Sequence, residues 1–276
     1  MFNVLYGGDR LTLRGIYLSL RSALKHNTFP LHVYLLTMSI NENGIKGQAI
    51  KEEDRLFLEK LIKSYNPKSK IDLFDYTDKY NETIKNTKNN KCSFSPYCML
   101  RLFSEEILPD DNILYLDADT LINGSLLEFE KIDISRVELA AGLDYLAQWW
   151  VHPGYFNSGV LYLNGKRIKQ THLFSRCIEL LMKKTYYFAD QSALNNLVTD
   201  YIYLPRKYNE QRPLKKDTIV CHFCNRVHRF YDPIRPWDIK KMREVYKINE
   251  FDDTYRDYLN NFPFEKIGLD KPDYNL

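Results

Sequence analysis

The sequence predicts an α/β fold in which helices cover a parallel sheet. Short apolar runs alternate with longer stretches whose apolar residues recur at helical spacing. The order strand, helix, strand, helix, strand is typical of parallel sheets, because each crossover between parallel strands needs room for a helix. A pair of aspartates directly behind a later apolar strand marks a candidate site at the sheet edge, where α/β folds bind ligands.

The first five elements follow from apolar periodicity. Residues 2–6, FNVLY, form a short apolar strand. Residues 11–27 carry apolar side chains from Leu13 to Leu24 on one face, as an amphipathic helix does. The same patterns predict a strand at 31–37, a helix at 52–65 and a strand at 70–76. The opening third therefore has the pattern of a nucleotide-binding α/β sheet.

The next stretch, residues 77–91, is polar and rich in lysine and asparagine. This composition offers little apolar surface to bury, so it predicts a mobile loop. A loop of this length is often a lid or a binding element, and a solvated insertion is the alternative.

The remaining elements continue the alternation. Ser95 and Pro96 begin a predicted helix that Pro109 ends. Further strands are predicted at 113–116, 137–144, 157–164 and 217–223, and helices at 169–185 and 190–198. Residues 238–262 are polar with a helical pattern, which predicts a C-terminal appendage to the core.

Composition argues against several classes of protein. The formal charge of +3 is spread along the chain, so nucleic acid is not the expected partner. No apolar run approaches the roughly 18 residues of a membrane-spanning helix, so we expect membrane contact to be at most peripheral. The start lacks a secretory signal pattern, and five cysteines are an odd number. These features predict reduced thiols in a cytoplasmic protein, at most peripheral on the inner face of the membrane.

The cysteine spacing offers a weak zinc pattern. Cys221 and Cys224 have the gap of half a zinc site, but Cys92 and Cys98 are too far apart in sequence to supply a matching second half. Buried thiols that behave as small apolar side chains are the favoured interpretation.

The aspartate pair is the most informative motif. Asp117 and Asp119 flank Ala118 at the end of an apolar strand. Two carboxylates this close repel each other unless a cation or a shared proton compensates. A divalent ion that bridges the carboxylates to a phosphate-bearing substrate is one solution. The other is a phosphatase of the haloacid-dehalogenase type, in which the first aspartate of D-x-D-x-T attacks phosphorus and the second acts as a general acid.

Context argues against the phosphatase. That pattern normally lies on the first strand of the chain and needs a later acidic pair behind another apolar strand. Here the motif follows three strands, and the acidic pairs at 110–111 and 252–253 lie in polar surroundings. Two unrelated surface acids remain an alternative for an isolated D-x-D.

Four blocks in order resemble the family 8 glycosyltransferases, which are retaining enzymes of the GT-A fold. PYCMLRLFSEEILPDDNILYLDADTLINGSL resembles their arginine-bearing helix and D-x-D strand, YFNSGVLYLN their asparagine block, ADQSALN their D-Q block and HFC…RPW their histidine block. The resemblance runs from about Phe2 to Trp237. It implies a GT-A domain at 1–237, with a single mixed, mainly parallel sheet and helices on both faces, and a helical appendage at 238–276.

The resemblance also implies a function and a site. It implies a metal-dependent, retaining hexosyltransferase that moves glucose or galactose from a UDP-sugar to a glycan or glycolipid acceptor, in the synthesis of cell-surface polysaccharide. Mn²⁺, or Mg²⁺, would be held by Asp117, Asp119 and His222. The catalytic residues would be Arg101, Asp190 and Gln191, and the sugar would meet Asp144, Asn157 and Asp190. The nucleotide part of the donor would meet Tyr6, Gly7, Gly8, Asp9, Asp117, Ala118, Asn157, Asn225 and Arg235.

Two features depart from the family pattern. Asn225 stands at a usual glycine, and an insertion precedes Arg235, so the cation that meets the diphosphate is left open among Arg226, Arg229 and Arg235. Relatives have an acidic or asparagine-containing turn after the first strand, and here that turn reads YGGDR. The main alternative function is a non-catalytic UDP-sugar-binding or scaffold protein of the same fold, against which the intact Asp117, Asp119, Asp190, Gln191 and His222 argue. Trp149 and Trp150 are expected to form either an acceptor platform or core packing.

Overall fold

A central sheet forms the middle of the fold. The computed structural model describes residues 1–42, 45–91, 95–224, 235, 237–246 and 251–272. The strands in these ranges are β1 Phe2–Gly7, β2 Leu31–Thr37, β3 Ile40–Glu42, β4 Ile45–Gly47, β5 Lys70–Asp75, β6 Asn112–Leu116, β7 Thr120–Ile122, β8 Leu139–Leu143, β9 Phe156–Asn164, β10 Ile202–Tyr203 and β11 Val220–His222. The α-helices are α1 Leu13–His26, α2 Glu52–Tyr65, α3 Thr77–Glu82, α4 Ala147–Trp150, α5 Gly165–Thr171, α6 Leu173–Lys183, α7 Ala189–Leu197, α8 Ile239–Tyr246, α9 Asp252–Asn261 and α10 Phe264–Ile267. The 3₁₀ helices are Lys88–Lys91, Pro96–Ile107, Leu126–Lys131 and Arg206–Tyr208.

The large sheet has seven strands in the order β10-β8-β9-β6-β1-β2-β5. Strand β1 pairs in parallel with β2 and β6, and β2 pairs in parallel with β5. Strand β9 runs antiparallel to both of its neighbours, β6 and β8. The predicted mixed, mainly parallel central sheet is therefore confirmed. A separate antiparallel pair, β7 with β11, lies beyond the carboxyl end of β6.

Helices cover both faces of this sheet, as predicted. Because side chains alternate along a strand, Val4 and Tyr6 of β1 join the apolar layer under α1, and Leu5 joins the opposite layer. That opposite layer is filled by the 3₁₀ helix at Pro96–Ile107 together with α6 and α7. Both layers are buried, which holds the carboxyl ends of the central strands in a fixed frame.

The prediction of a mobile loop at 77–91 is wrong. This stretch begins with α3, and Tyr80 and Ile84 are fully buried in the apolar layer. Asn89 donates hydrogen bonds to the backbone oxygens of Leu181 and Lys184, both 2.6 Å away. The polar residues are ordered because their partners lie almost a hundred positions later in the chain, where local composition gives no signal.

The predicted helix at 169–185 is two helices. Helix α5 ends at Thr171 and α6 begins at Leu173, because His172 adopts a left-handed backbone conformation with φ of 52°. Glu105 accepts hydrogen bonds from the backbone N–H groups of Phe174 and Ser175, which caps the start of α6. The break therefore has a non-local cause.

The C-terminal helices pack on α1. The ring of Tyr17 lies 6.1 Å from that of Tyr258 and 5.6 Å from that of Phe262. The Tyr17 hydroxyl donates to Asp257 at 2.5 Å. The boundary between a domain at 1–237 and an appendage at 238–276 stays a prediction. None of the helices in the described ranges has the length and apolarity that a membrane span needs.

Candidate active site

The D-x-D motif forms the turn that leaves β6. The backbone N–H of Asp117 donates to the Gly159 carbonyl oxygen at 2.8 Å, which ties the turn to β9. The Thr120 hydroxyl donates to the Asp117 carbonyl oxygen at 2.8 Å. Helix α1 packs closely against this turn at Gly15, where an added Cβ atom would lie 2.2 Å from the Ala118 backbone oxygen. The turn therefore has little freedom, and its two carboxylates point to the same region.

His222 joins these carboxylates because β11 pairs with β7, which places His222 opposite Thr120. Its Nε2 atom lies 3.4 Å from Asp119 Oδ1 and 3.7 Å from Asp117 Oδ2. One ligand atom from each of the three residues lies within 4.8 Å of the other two. We call Asp117, Asp119 and His222 the Asp–His cluster. Among the described residues, the cysteines belong to no such group.

The space in front of this cluster depends on Gly159. A Cβ atom built at Gly159 would lie 2.1 Å from His222 Cε1 and 2.6 Å from Asp117 Oδ2. A glycine in a strand often marks such a close approach. Two carboxylate oxygens and one imidazole nitrogen suit a divalent ion, and the nitrogen favours Mn²⁺ over Mg²⁺. The residues present therefore fit a divalent metal.

Arg235 compensates the more buried carboxylate. Its Nη1 atom donates to Asp119 Oδ2 at 2.6 Å, and 36% of its side chain is exposed. Burial alone would raise the pKa of Asp119, but the imidazolium form of His222 and the guanidinium of Arg235 lower that pKa below its usual value. Asp119 is therefore ionised at neutral pH and ready to bind a cation. Arg235, one of the cations predicted to meet the diphosphate, lies beside Asp119 of the Asp–His cluster.

Arg101 joins the cluster to Asp190. It is 1% exposed, donates to Asp117 Oδ1 at 3.0 Å and lies 3.2 Å from Asp190 Oδ2. Its guanidinium also lies 4.1 Å from the centre of the Tyr115 ring. Burial alone would lower the pKa of Arg101, but Tyr115 and the two carboxylates raise it. Arg101 is thus a buried charge that links Asp117 to Asp190. Removing it would leave both carboxylates without this partner.

A second set of polar side chains lies on β9 and α7. Asn157 Nδ2 donates to Asp144 Oδ2 at 3.1 Å, and Gln191 Nε2 donates to the same oxygen at 3.0 Å. Gln191 Oε1 accepts from the backbone N–H of Ser158 at 3.0 Å. We call Asp144, Asn157, Ser158 and Gln191 the amide network. Asp190 touches it through the Ser158 hydroxyl, 3.3 Å from Asp190 Oδ2, and burial raises the pKa of Asp190 although Arg101 opposes this.

The YGGDR stretch, which is predicted to meet the nucleotide, contacts α1 and the residue before it. The Tyr6 ring is 1% exposed and its hydroxyl lies 2.9 Å from Ser19 Oγ, so the ring packs under α1. Gly7 and Gly8 continue from β1 into the turn, and Asp9 Oδ1 accepts from the Thr12 backbone N–H at 3.0 Å. Asn225 lies outside the described residues.

The two tryptophans are not core residues. Trp149 is 77% exposed and Trp150 is 82% exposed, so the core-packing alternative is wrong. Trp149 lines a cavity of about 230 Å³ with Tyr145, Tyr203 and Arg212. Asn209 also lines this cavity, which therefore borders the site. We call it the aromatic groove.

Several residues of the site were missed by sequence reasoning. Tyr115 donates to Asp117 Oδ1 at 2.7 Å, and Asn209 contacts both His222 and Asn157. A glycine inside the apolar strand at 157–164 was a usable signal for Gly159. Asn209 gave none, because it lies in a polar loop whose contacts are set by the fold.

Comparison with known proteins points to one family. Residues 3–239 match the model of glycosyl transferase family 8. The chain is 27% identical over 212 residues to glycosyltransferase GlyE of Streptococcus pneumoniae. The aligned region covers 75% of this chain and 47% of GlyE. It is 24% identical to the lipopolysaccharide 1,3-galactosyltransferase of Salmonella typhimurium, covering 86% of this chain and 73% of that protein.

The fold matches solved structures as well. The crystal structure of the galactosyltransferase LgtC, in complex with donor and acceptor sugar analogues, superposes with a TM-score of 0.68 at 19% identity. The match covers 97% of this chain and 99% of that one. The chain thus spans nearly all of the LgtC chain in that crystal structure but about half the length of GlyE.

Proposed function

The chain belongs to glycosyltransferase family 8, as its sequence blocks predicted, and we propose that it is a retaining hexosyltransferase. It moves glucose or galactose from a UDP-sugar to a saccharide or glycolipid acceptor. Relatives that transfer glucose or galactose to lipopolysaccharide support the hexose and the type of acceptor. The cytoplasmic location and the role in cell-surface polysaccharide synthesis stay predictions.

The Asp–His cluster is the observation that carries this proposal. Two carboxylates and an imidazole converge at the carboxyl end of β6, with open space kept by Gly159. We propose that Asp117, Asp119 and His222 hold Mn²⁺, or Mg²⁺ in its place. The ion would neutralise the charge that develops on the diphosphate as the bond to the sugar breaks.

The arginines have different tasks in this proposal. Arg101 is buried between Asp117 and Asp190, so it pairs with both carboxylates and orients them without reaching solvent. Arg235 is partly exposed beside Asp119, and its fork of donors suits a phosphate. We therefore assign the diphosphate contact to Arg235 among the described arginines.

The amide network supports attack on the face that the leaving group vacates. Both ends of the Gln191 amide are engaged, with the oxygen held by Ser158 N–H and the nitrogen by Asp144. An amide is a poor nucleophile, and the Asp190 carboxylate is buried in an ion pair with Arg101. We propose that the departing phosphate takes the proton of the acceptor hydroxyl. Isolation of a glycosyl adduct on Gln191 or Asp190 would contradict this step.

We propose that the aromatic groove receives the acceptor. Sugars present apolar C–H faces that pack on aromatic rings, and Trp149 and Tyr203 are exposed there. The groove borders Asn209, which contacts the amide network. An acceptor bound in the groove would therefore approach the sugar side of the site.

A donor screen tests the proposal. The protein is incubated with UDP-glucose, UDP-galactose, GDP-mannose or dTDP-glucose, with Mn²⁺ or with EDTA, and the release of nucleotide is measured. We expect slow hydrolysis of one UDP-hexose that requires the metal. Metal-dependent binding without hydrolysis or transfer, across an acceptor panel, would favour the non-catalytic binding protein. Free phosphate without release of UDP would favour a phosphatase.

A further inference from the structure

Asn209 lies between the Asp–His cluster and the amide network. It follows the 3₁₀ helix at Arg206–Tyr208 and is 3% exposed. One end of its side-chain amide lies 3.1 Å from Asn157 Oδ1, and the other end lies 3.1 Å from His222 Nδ1. The two halves of the site are therefore joined by one buried side chain.

The direction of these hydrogen bonds follows from the backbone. The Gly159 N–H donates to the side chain of Asn157 at 3.0 Å. A backbone N–H can only donate, so the atom it meets must be the amide oxygen of Asn157. The NH₂ group of Asn157 then faces Asp144 Oδ2, which as a carboxylate oxygen accepts. The orientation of Asn157 is thus fixed from both sides.

The orientation of Asn157 determines the orientation of the Asn209 amide. Since an oxygen of Asn157 faces it, Asn209 must present its NH₂ group there and its oxygen to His222. That oxygen can only accept, so His222 Nδ1 must carry a hydrogen. In a neutral imidazole the lone pair then lies on Nε2, the atom that faces Asp117 and Asp119.

We propose that Asn209 is a positioning residue that fixes the Nδ1–H tautomer of His222. Metal-ligating histidines usually donate their other N–H to a carboxylate or carbonyl oxygen, and here a side-chain amide oxygen takes that place. Because the same amide holds Asn157, the orientation of the sugar-side amides and the availability of Nε2 are coupled. The proposal rests on the proposed metal role of His222, but the tautomer itself does not require a metal.

Two variants of Asn209 distinguish its hydrogen bond to Asn157 from its hydrogen bond to His222. Asn209→Ala removes both hydrogen bonds. Asn209→Asp keeps an acceptor for His222 Nδ1–H but cannot donate to Asn157. The matched control is Asn27→Ala, because Asn27 is also buried, at 2% exposure, and joins two segments by donating to Ala23 and accepting from Leu126.

Two measurements test the proposal. Mn²⁺ affinity is measured from the electron paramagnetic resonance signal of the free ion, and the tautomer of His222 is read from ¹⁵N NMR of metal-free protein at a pH where the imidazole is neutral. We expect Asn209→Ala to weaken Mn²⁺ binding about 10- to 100-fold and to lose the uniform Nδ1–H tautomer. Asn209→Asp should keep both, and Asn27→Ala should match wild type in both.

The outcomes distinguish this inference from the proposed function. A wild-type protein that does not bind Mn²⁺ would overturn the metal role, and the NMR measurement would still decide the tautomer. Wild-type Mn²⁺ affinity in a folded Asn209→Ala variant would overturn the coupling. An Nε2–H tautomer in the wild type, or loss of Nδ1–H in Asn209→Asp, would overturn the orientation argument.

Discussion

The Asp–His cluster and the amide network meet at Asn209, yet they are held together by different forces. The cluster brings two carboxylates together and depends on charge compensation by Arg101 and Arg235. The amide network has one carboxylate, Asp144, and is held by directional hydrogen bonds that start from backbone N–H groups.

This difference separates two kinds of failure. Loss of a cluster residue unbalances charge and should remove the metal. Loss of a network residue that does not contact Asn209, such as Gln191, should leave the metal in place and misplace the sugar. Each of the following substitutions tests whether the two regions fail in these separate ways.

The largest effect is expected from Asp119→Ala. It removes a metal ligand and leaves Arg235 without its partner. We expect UDP-hexose hydrolysis to fall more than about 100-fold, beyond the effect of outer-shell changes, together with loss of Mn²⁺ binding. Asp111→Ala, at the opposite end of β6 and exposed, is the control and should behave as wild type. Undiminished Mn²⁺ affinity in Asp119→Ala would contradict the cluster as the metal site.

Gln191→Ala tests the network. It removes the amide that joins Ser158 to Asp144. We expect kcat to fall about 100-fold, as for the loss of one preorganised polar group, with Mn²⁺ affinity unchanged. Steady-state kinetics and Mn²⁺ titration give the two quantities. A parallel loss of Mn²⁺ affinity would show that the two regions do not fail separately.

Gly159→Ala tests the space between the regions. The added methyl group would lie 2.1 Å from His222 Cε1, so His222 must move. We expect Mn²⁺ affinity to fall at least about tenfold. The control is Gly124→Ala, where the nearest atoms, in Ile219, would lie 3.4 Å away. Equal Mn²⁺ affinity in the two variants would remove the evidence that Gly159 keeps the site open.

The smallest effect is expected from Trp149→Ala, outside both regions. With an acceptor found by screening, we expect its KM to rise several-fold, in line with about 1 kcal/mol for one exposed aromatic contact, while donor hydrolysis stays unchanged. The control for general loss of an aromatic ring is Phe57→Leu. Phe57 stacks on Tyr17 of α1, away from the groove. An unchanged acceptor KM would place the acceptor elsewhere.

Much of the fold could be predicted from sequence, because the parallel strands and α1 are specified by local apolar periodicity. The errors came where distant residues decide the outcome. Tyr80 and Asn89 order a polar stretch through later partners, and Glu105 caps a helix that begins nearly seventy positions on. The antiparallel pairing of β3 with β4 was also missed.

The site divides in the same way. The D-x-D motif can be recognised from sequence because its two carboxylates are close along the chain. His222 was assigned through the resemblance, since only the pairing of β7 with β11 brings it to the cluster. The role of Asn209 could not be predicted, because it depends on a sequence of donors and acceptors that exists only in the folded chain.

The most direct test of the account is calorimetric titration of UDP into wild type and Asp119→Ala, each with Mn²⁺ and with EDTA. We expect tight binding to wild type in Mn²⁺, and weak binding in the other three conditions. Binding to Asp119→Ala in Mn²⁺ as tight as to wild type would contradict the central claim that the Asp–His cluster binds the metal that holds the nucleotide.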